Sequence, residues 1–153
     1  MVHLHHDGIA EAPVAVAFAY IDDPAHVPTW MFGVERFEVR DPATPRGLGA
    51  VFDATFHVKP VKLASRVEIT QWEQDRLIAL TSIKGFSNSS VWRFEPDGPD
   101  RTKISVEFSY DLPGGIAGKA LGRAVEPVVA MSVRHSDAAL RKHIAEHHRA
   151  QRG

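Results

Sequence analysis

The sequence predicts a single α+β domain in which a curved antiparallel sheet of about seven strands wraps a long C-terminal helix, with two short helices after the first strand. Three observations carry that prediction. Thr102 to Leu112 alternates apolar Ile104, Val106, Phe108 and Tyr110 with polar Ser105, Glu107, Ser109 and Asp111, the period of a strand with one buried face. The apolar runs upstream are joined by connections of a few residues, whereas a parallel crossover needs about a dozen, so neighbouring strands run antiparallel. Beyond Pro113, Gly114 and Gly115 the pattern takes a helical period and keeps it to Ala150.

In chain order, Met1 to Asp7 is polar, but Leu4 interrupts His3, His5 and His6 and an apolar pattern follows, which predicts a short first strand. Pro13 to Ile21 predicts a short buried helix with proline in its first turn, where a missing N–H costs nothing. Asp22, Asp23 and Pro24 end it, and the stretch to Pro28 allows one further turn before Trp30 and Phe32. Strands are predicted at Val34 to Arg40, Gly49 to Val58, Lys62 to Gln71 and Arg76 to Lys84, with breaks at Lys59-Pro60 and Glu73-Gln74-Asp75. Ser90, Trp92 and Phe94 then alternate with Val91, Arg93 and Glu95, and Pro96-Asp97-Gly98-Pro99 turns this strand into Thr102 to Leu112 as a hairpin. Pro127 either kinks the long helix or marks its start after a preliminary turn. Repeats, linkers and low-complexity tracts are absent from the sequence, so residues 1–153 are read as one domain.

Composition narrows the function classes. With 18 basic and 19 acidic residues the net charge is -1, too little field to draw the chain onto nucleic acid. The absence of cysteine excludes disulfides, thiolate zinc sites and a cysteine nucleophile. The first residues lack an apolar signal region and no run approaches the roughly 18 apolar residues of a membrane span, so a cytoplasmic protein without integral membrane association is expected. Gly47-Leu48-Gly49 precedes a strand rather than a helix, Gly114-Gly115 enters the long helix, and there is no G-x-S-x-G elbow; no nucleotide or other cofactor is expected.

A sheet with one apolar face must be covered, and the long helix is the element of sufficient length. Its inward stripe, Leu121, Val125, Val128, Ser132, His135 and Ala139 with Met131 beside it, is poor in large side chains, and Gly118, Ala120, Gly122 and Ala124 sit in its first half. Small residues there either leave an apolar cavity or let helix and sheet pack closely. Both readings stand on these features alone.

The run EAPVAVAFAYIDDPAHVPTW, the strand WRFEPDG followed by TKISVEFSYDLPG, and the long terminal helix together resemble the START-like SRPBCC superfamily, in particular its bacterial polyketide-cyclase/dehydrase-like branch, over nearly the whole chain. That resemblance implies a helix-grip fold around a hydrophobic tunnel. It implies binding or transport of a hydrophobic small molecule, a lipid, fatty acid, sterol-like molecule or polyketide, by a monomer or weak homodimer. One alternative is a polyketide aromatase/cyclase or dehydratase acting in the same pocket. Another is a protein-interaction module of the co-chaperone-like or toxin/antitoxin-associated kind. A binding protein is favoured over an enzyme.

The candidate ligand contacts follow. Trp92, Phe94, Val106, Phe108 and Tyr110 on the hairpin, with Phe56 and Val67 on the preceding strands, occupy the apolar phase that would face the tunnel, though ordinary core packing explains each as well. Trp30 and Phe32 either gate the pocket rim or anchor the small helices. Val128, Met131 and His135 would face the tunnel from the helix. No catalytic residue is assigned; Tyr110, whose hydroxyl needs a partner if buried, and His135, able to titrate near neutrality, are the weak candidates. Phe52, Ala54, Phe56 and Val58 share one phase, which puts Asp53 and His57 on the outer face; the reverse phase would make them an acid/base pair in the pocket. Val67 and Ile69 likewise put Arg66 and Glu68 outside, expected as a modest ion pair. His143, Glu146 and His147 fit an H-x-x-E-H zinc pattern, but a solvated, fraying helix end is the expected reading and no metal site is predicted.

Overall fold

The structure, a computed structural model, describes residues 2–30, 34–58, 61–111, 138 and 140–150. Strand β1 (Val2–Ala10) leads into helix α1 (Val14–Asp22), a 3-10 turn (Pro24–His26) and helix α2 (Val27–Trp30). Six strands follow: β2 (Val34–Val39), β3 (Val51–Val58), β4 (Val61–Glu73), β5 (Leu77–Gly85), β6 (Ser87–Pro96) and β7 (Thr102–Asp111). Helix α3 covers residues 140–150. The strands form one antiparallel sheet in the order β1-β7-β6-β5-β4-β3-β2. From β2 to β7 the sheet is a meander of adjacent hairpins. The two short helices carry the chain from β1, at one edge, to β2, at the other. This curled half-barrel with a C-terminal helix is the helix-grip fold.

Curvature comes from irregular pairing. Between β4 and β5 the register shifts twice, Ile83 being the extra residue on β5 and Thr70 the extra residue on β4. A bulge bends its strand and increases the local twist, which curls the sheet toward its apolar face. The second bulge also explains a difference from the sequence reading. Alternation stops at Gln71, yet β4 runs on to Glu73, because the extra Thr70 resets the phase so that Trp72 packs against the core.

Pro13 stands before α1 rather than in its first turn: its ψ of 151° is extended, and its carbonyl accepts from the N–H groups of Val16 and Ala17. The helix buries Ala17, Phe18, Tyr20 and Ile21. Phe18 meets Trp72 and Phe94 edge-on at 5.6 and 5.1 Å, a favoured geometry that seats α1 on β4 and β6. Trp72 Nε1 donates to Asp22 Oδ1 at 2.9 Å, closing the end of the helix onto the sheet. Thr102 Oγ1, fully buried, donates to the Ala12 carbonyl and ties the exit of β1 to the start of β7.

Helix α3 is pinned by Leu140 and Ile144, four residues apart on one face and both essentially inaccessible. His147, one turn on, lies 5.5 Å from the Tyr20 ring. The helix runs through residue 150, as its period predicts, and the expectation of a wholly solvated end is corrected at Ile144, which is buried between His143 and Ala145. Among the described residues, no helix is long and apolar enough to cross a membrane.

Candidate functional site

On the concave side of the sheet lies an apolar cavity of about 70 Å³. Its floor is sheet: Phe37 from β2, Phe52 and Phe56 from β3, Val67 and Ile69 from β4, Ile78 and Leu80 from β5, Ser90 and Trp92 from β6 and Phe108 from β7. Opposite them stand Ile21 and Asp22 at the end of α1, Pro24 of the 3-10 turn and Val27 of α2. At about 10–15 Å³ per water, the volume is several waters' worth, which apolar walls hold poorly.

Of the expected contacts, Phe56, Val67, Trp92 and Phe108 are on this wall. Phe94 is not: it is spent on Phe18 beneath α1, because the same inward phase runs past the cavity to the helix. Val106 and Tyr110 lie outside this wall: Val106 is buried in the core, paired across the ladder with Trp92, and Tyr110 is buried beside Phe86 and Phe108. Trp30 is the last residue of α2, and its side chain, like Phe32, Val128, Met131 and His135, lies outside the described residues.

Sequence reasoning missed the wall contributed by α1, the 3-10 turn and α2, and it missed the polar groups of β6. Ser90 was already read in the inward phase of Trp92 and Phe94 but not as a contact, and extending that alternation one step upstream would have found Asn88. Asn88 is buried, with its Nδ2 donating to the Phe86 carbonyl at 2.9 Å and to Ser65 Oγ at 3.0 Å; Ser65 Oγ itself donates to the Phe86 carbonyl. Ser90 Oγ accepts from Trp92 Nε1 at 3.3 Å. The loop behind this network requires glycine. Gly85 has φ +80°, and a Cβ there would sit 2.3 Å from the Ala64 carbonyl oxygen, which accepts from the Phe86 N–H.

Asp53 and His57 point outward, as the phase predicted. Asp53 takes Arg66 Nε at 3.1 Å and Arg40 Nη1 at 3.2 Å, and His57 meets Glu35 at 2.7 Å. The hydrogen bond from Arg66 holds the Asp53 carboxyl below its ordinary range, with Arg40 adding to it against the opposing effect of burial. Arg66 thus pairs with Asp53, not with Glu68. The two stand directly opposite in the β3–β4 register, closer than residues two apart along one strand.

The H-x-x-E-H spacing does not assemble a metal centre: among the described residues, no group of three or more histidines and carboxylates could hold an ion. His147 instead faces the stacked pair Tyr20 and His26, whose rings lie 4.2 Å apart, and His26 Nδ1 meets the Tyr20 carbonyl at 3.0 Å. Burial raises the Tyr20 phenol above its ordinary value, reinforced by the Glu146 and Asp23 carboxylates.

Comparison with known proteins places the chain. The family model described as polyketide cyclase / dehydrase and lipid transport matches residues 1–145. A crystal structure from Thermus thermophilus superposes with a TM-score of 0.79 at 18% identity, covering 94% of this chain and 97% of that one. The Zhui aromatase/cyclase of a Streptomyces species gives 0.71 at 17%, covering 94% and 93%. A START superfamily protein of Mycobacterium smegmatis gives 0.69 at 14%, covering 94% and 97%. At such identities the likeness is one of fold. Among curated proteins, none matches significantly.

Proposed function

The chain belongs to the polyketide cyclase/dehydrase and lipid transport family, and from that premise we propose that it binds a hydrophobic small molecule, a lipid, sterol-like molecule or polyketide, in the cavity between the sheet and the helices that cover it. The observation that carries this reading is the cavity itself: space left on the concave face and walled by aromatic and branched side chains, where protein interiors are ordinarily close-packed. Burying about 300 Å² of apolar ligand surface would contribute roughly 7 kcal/mol at about 25 cal/mol per Å², less the cost of association, which supports binding in the micromolar range or weaker.

A second reading, turnover in the same pocket, has one observation in its favour: Asp22, Asn88 and Ser90 put polar groups on an otherwise hydrocarbon wall, as proton transfer to a ligand carbonyl would require. The interaction-module reading has less support. Among the described residues the exposed large apolar side chains are Leu48, in the turn before β3, and Ile83, on β5.

Native mass spectrometry of gently purified protein, before and after organic extraction and after incubation with lipids, sterols and aromatic polyketides, tests the proposal. A discrete added mass that extraction releases supports binding, and a bound species that loses water over time moves the reading to a dehydratase or cyclase. A clean unliganded mass with no uptake from the panel overturns it.

A further inference from the structure

Asn88 is 7% exposed and lies on the cavity wall. Both of its amide hydrogens are committed, one to the Phe86 carbonyl and one to Ser65 Oγ. A backbone carbonyl can only accept, so the amide cannot be turned over: nitrogen must face Phe86, and Oδ1 is the atom left for the cavity. Among the described residues nothing donates to it. As an acceptor on the cavity wall, it offers a bound molecule a partner for a hydrogen-bond donor. The fixture is rigid, since it is held to the left-handed Gly85 turn and to the Phe86–Ala64 backbone bond behind it.

Two residues on, and on the same face, Ser90 Oγ accepts from Trp92 and retains its own hydrogen to donate. Across the cavity, Asp22 gives one carboxylate oxygen to Trp72 and keeps the other as an acceptor.

Resting on the ligand-binding reading above, we propose that Asn88 Oδ1 selects apolar molecules that carry a hydrogen-bond donor, a phenol, enol or alcohol, and that Ser90 can serve an acceptor beside that donor. A carboxylate, as on a fatty acid, meets the lone pairs of Asn88 and the charge of Asp22 and is disfavoured. The ligand class is thereby narrowed from hydrophobic molecules at large to neutral hydroxylated ones.

Three probes of one ring system test this in the intact protein: 2-naphthol, 2-methoxynaphthalene and 2-naphthoate, titrated by calorimetry at neutral pH into wild type and Asn88→Leu. The expected result is 2-naphthol about tenfold tighter than either of the others in wild type, and a difference between 2-naphthol and 2-methoxynaphthalene below about threefold in the variant. Equal affinity of 2-naphthol and 2-methoxynaphthalene in wild type overturns donor selection while leaving the cavity a binding site. A preference that survives in Asn88→Leu overturns the assignment to Asn88. No binding of any probe overturns the ligand-binding reading and this inference with it. Should Asn88→Leu fail to fold, the side-chain carbonyl carbon of Asn88 in wild type gives the second readout: its NMR shift moves with 2-naphthol and stays with 2-methoxynaphthalene, and a shift equal for both overturns the proposal.

Discussion

Gly85 concentrates a conformational and a steric demand at one position. Its positive φ disfavours any side chain, and a Cβ would collide with the Ala64 carbonyl. Gly85→Ala is therefore expected to cost about 1–3 kcal/mol in urea unfolding; a loss below a few tenths would show that the turn is not held as described. Tyr20 sets a pH dependence. Its phenol is raised by burial and by two carboxylates, so the folded state favours the neutral form. That contribution is complete below the ordinary tyrosine value of about 10 and is lost as pH rises through the folded value. The stability difference between wild type and Tyr20→Phe should hold constant from neutral pH to about 9 and then fall as pH rises further, whereas melting curves that stay parallel throughout would contradict it. Arg66→Ala, removing half of a partly exposed pair on the outer face, should cost roughly 0–1 kcal/mol and leave ligand uptake unchanged. At this scale the sequence was readable for phase and not for partners. Alternation put Asp53 and His57 outside, but Arg66's counter-ion depended on a strand register that no local pattern contains. Asn88 was missed because a polar residue in an inward phase reads as the end of a strand; its partners, Ser65 and the Phe86 carbonyl, come from a neighbouring strand and a turn.

The elements were largely legible because each carries its own signal. Period-two alternation located the β6–β7 hairpin, and short polar breaks separated the strands before it. What escaped was where a local rule is broken by pairing: the bulge at Thr70 resets the phase of β4 and brings Trp72 inward under α1. Phe18, at the centre of that contact between Trp72 and Phe94, is the anchor of the helix. Phe18→Ala should cost about 3–5 kcal/mol by denaturant unfolding; a cost near 1 would mean that α1 is only loosely seated. Helix α3 makes a sharper contrast. A frayed terminal turn would tolerate Ile144→Ala with almost no change, while a buried anchor should lose about 2–5 kcal/mol. The second outcome is the one expected.

At the level of the molecule, the sheet is long, bent by two bulges between β4 and β5, and closed on its concave side by helices. Curling brings the inward residues of six strands, β2 to β7, around one space, and the short helices crossing from edge to edge supply part of its opposite wall. A cavity of this kind is a property of curvature, so strand patterns could announce an apolar face without fixing how much of it remains unfilled. The central claim is that this space, and no outer surface, takes up the ligand. Methyl-resolved NMR during titration with N-phenyl-1-naphthylamine tests that claim most directly, since Val67, Ile69, Ile78 and Leu80 line the cavity while Leu48 and Ile83 are exposed on the outside. The account predicts saturable shifts of the four lining residues with one common dissociation constant and unmoved signals from Leu48 and Ile83. Shifts confined to Leu48 and Ile83, or none at any methyl, would contradict it.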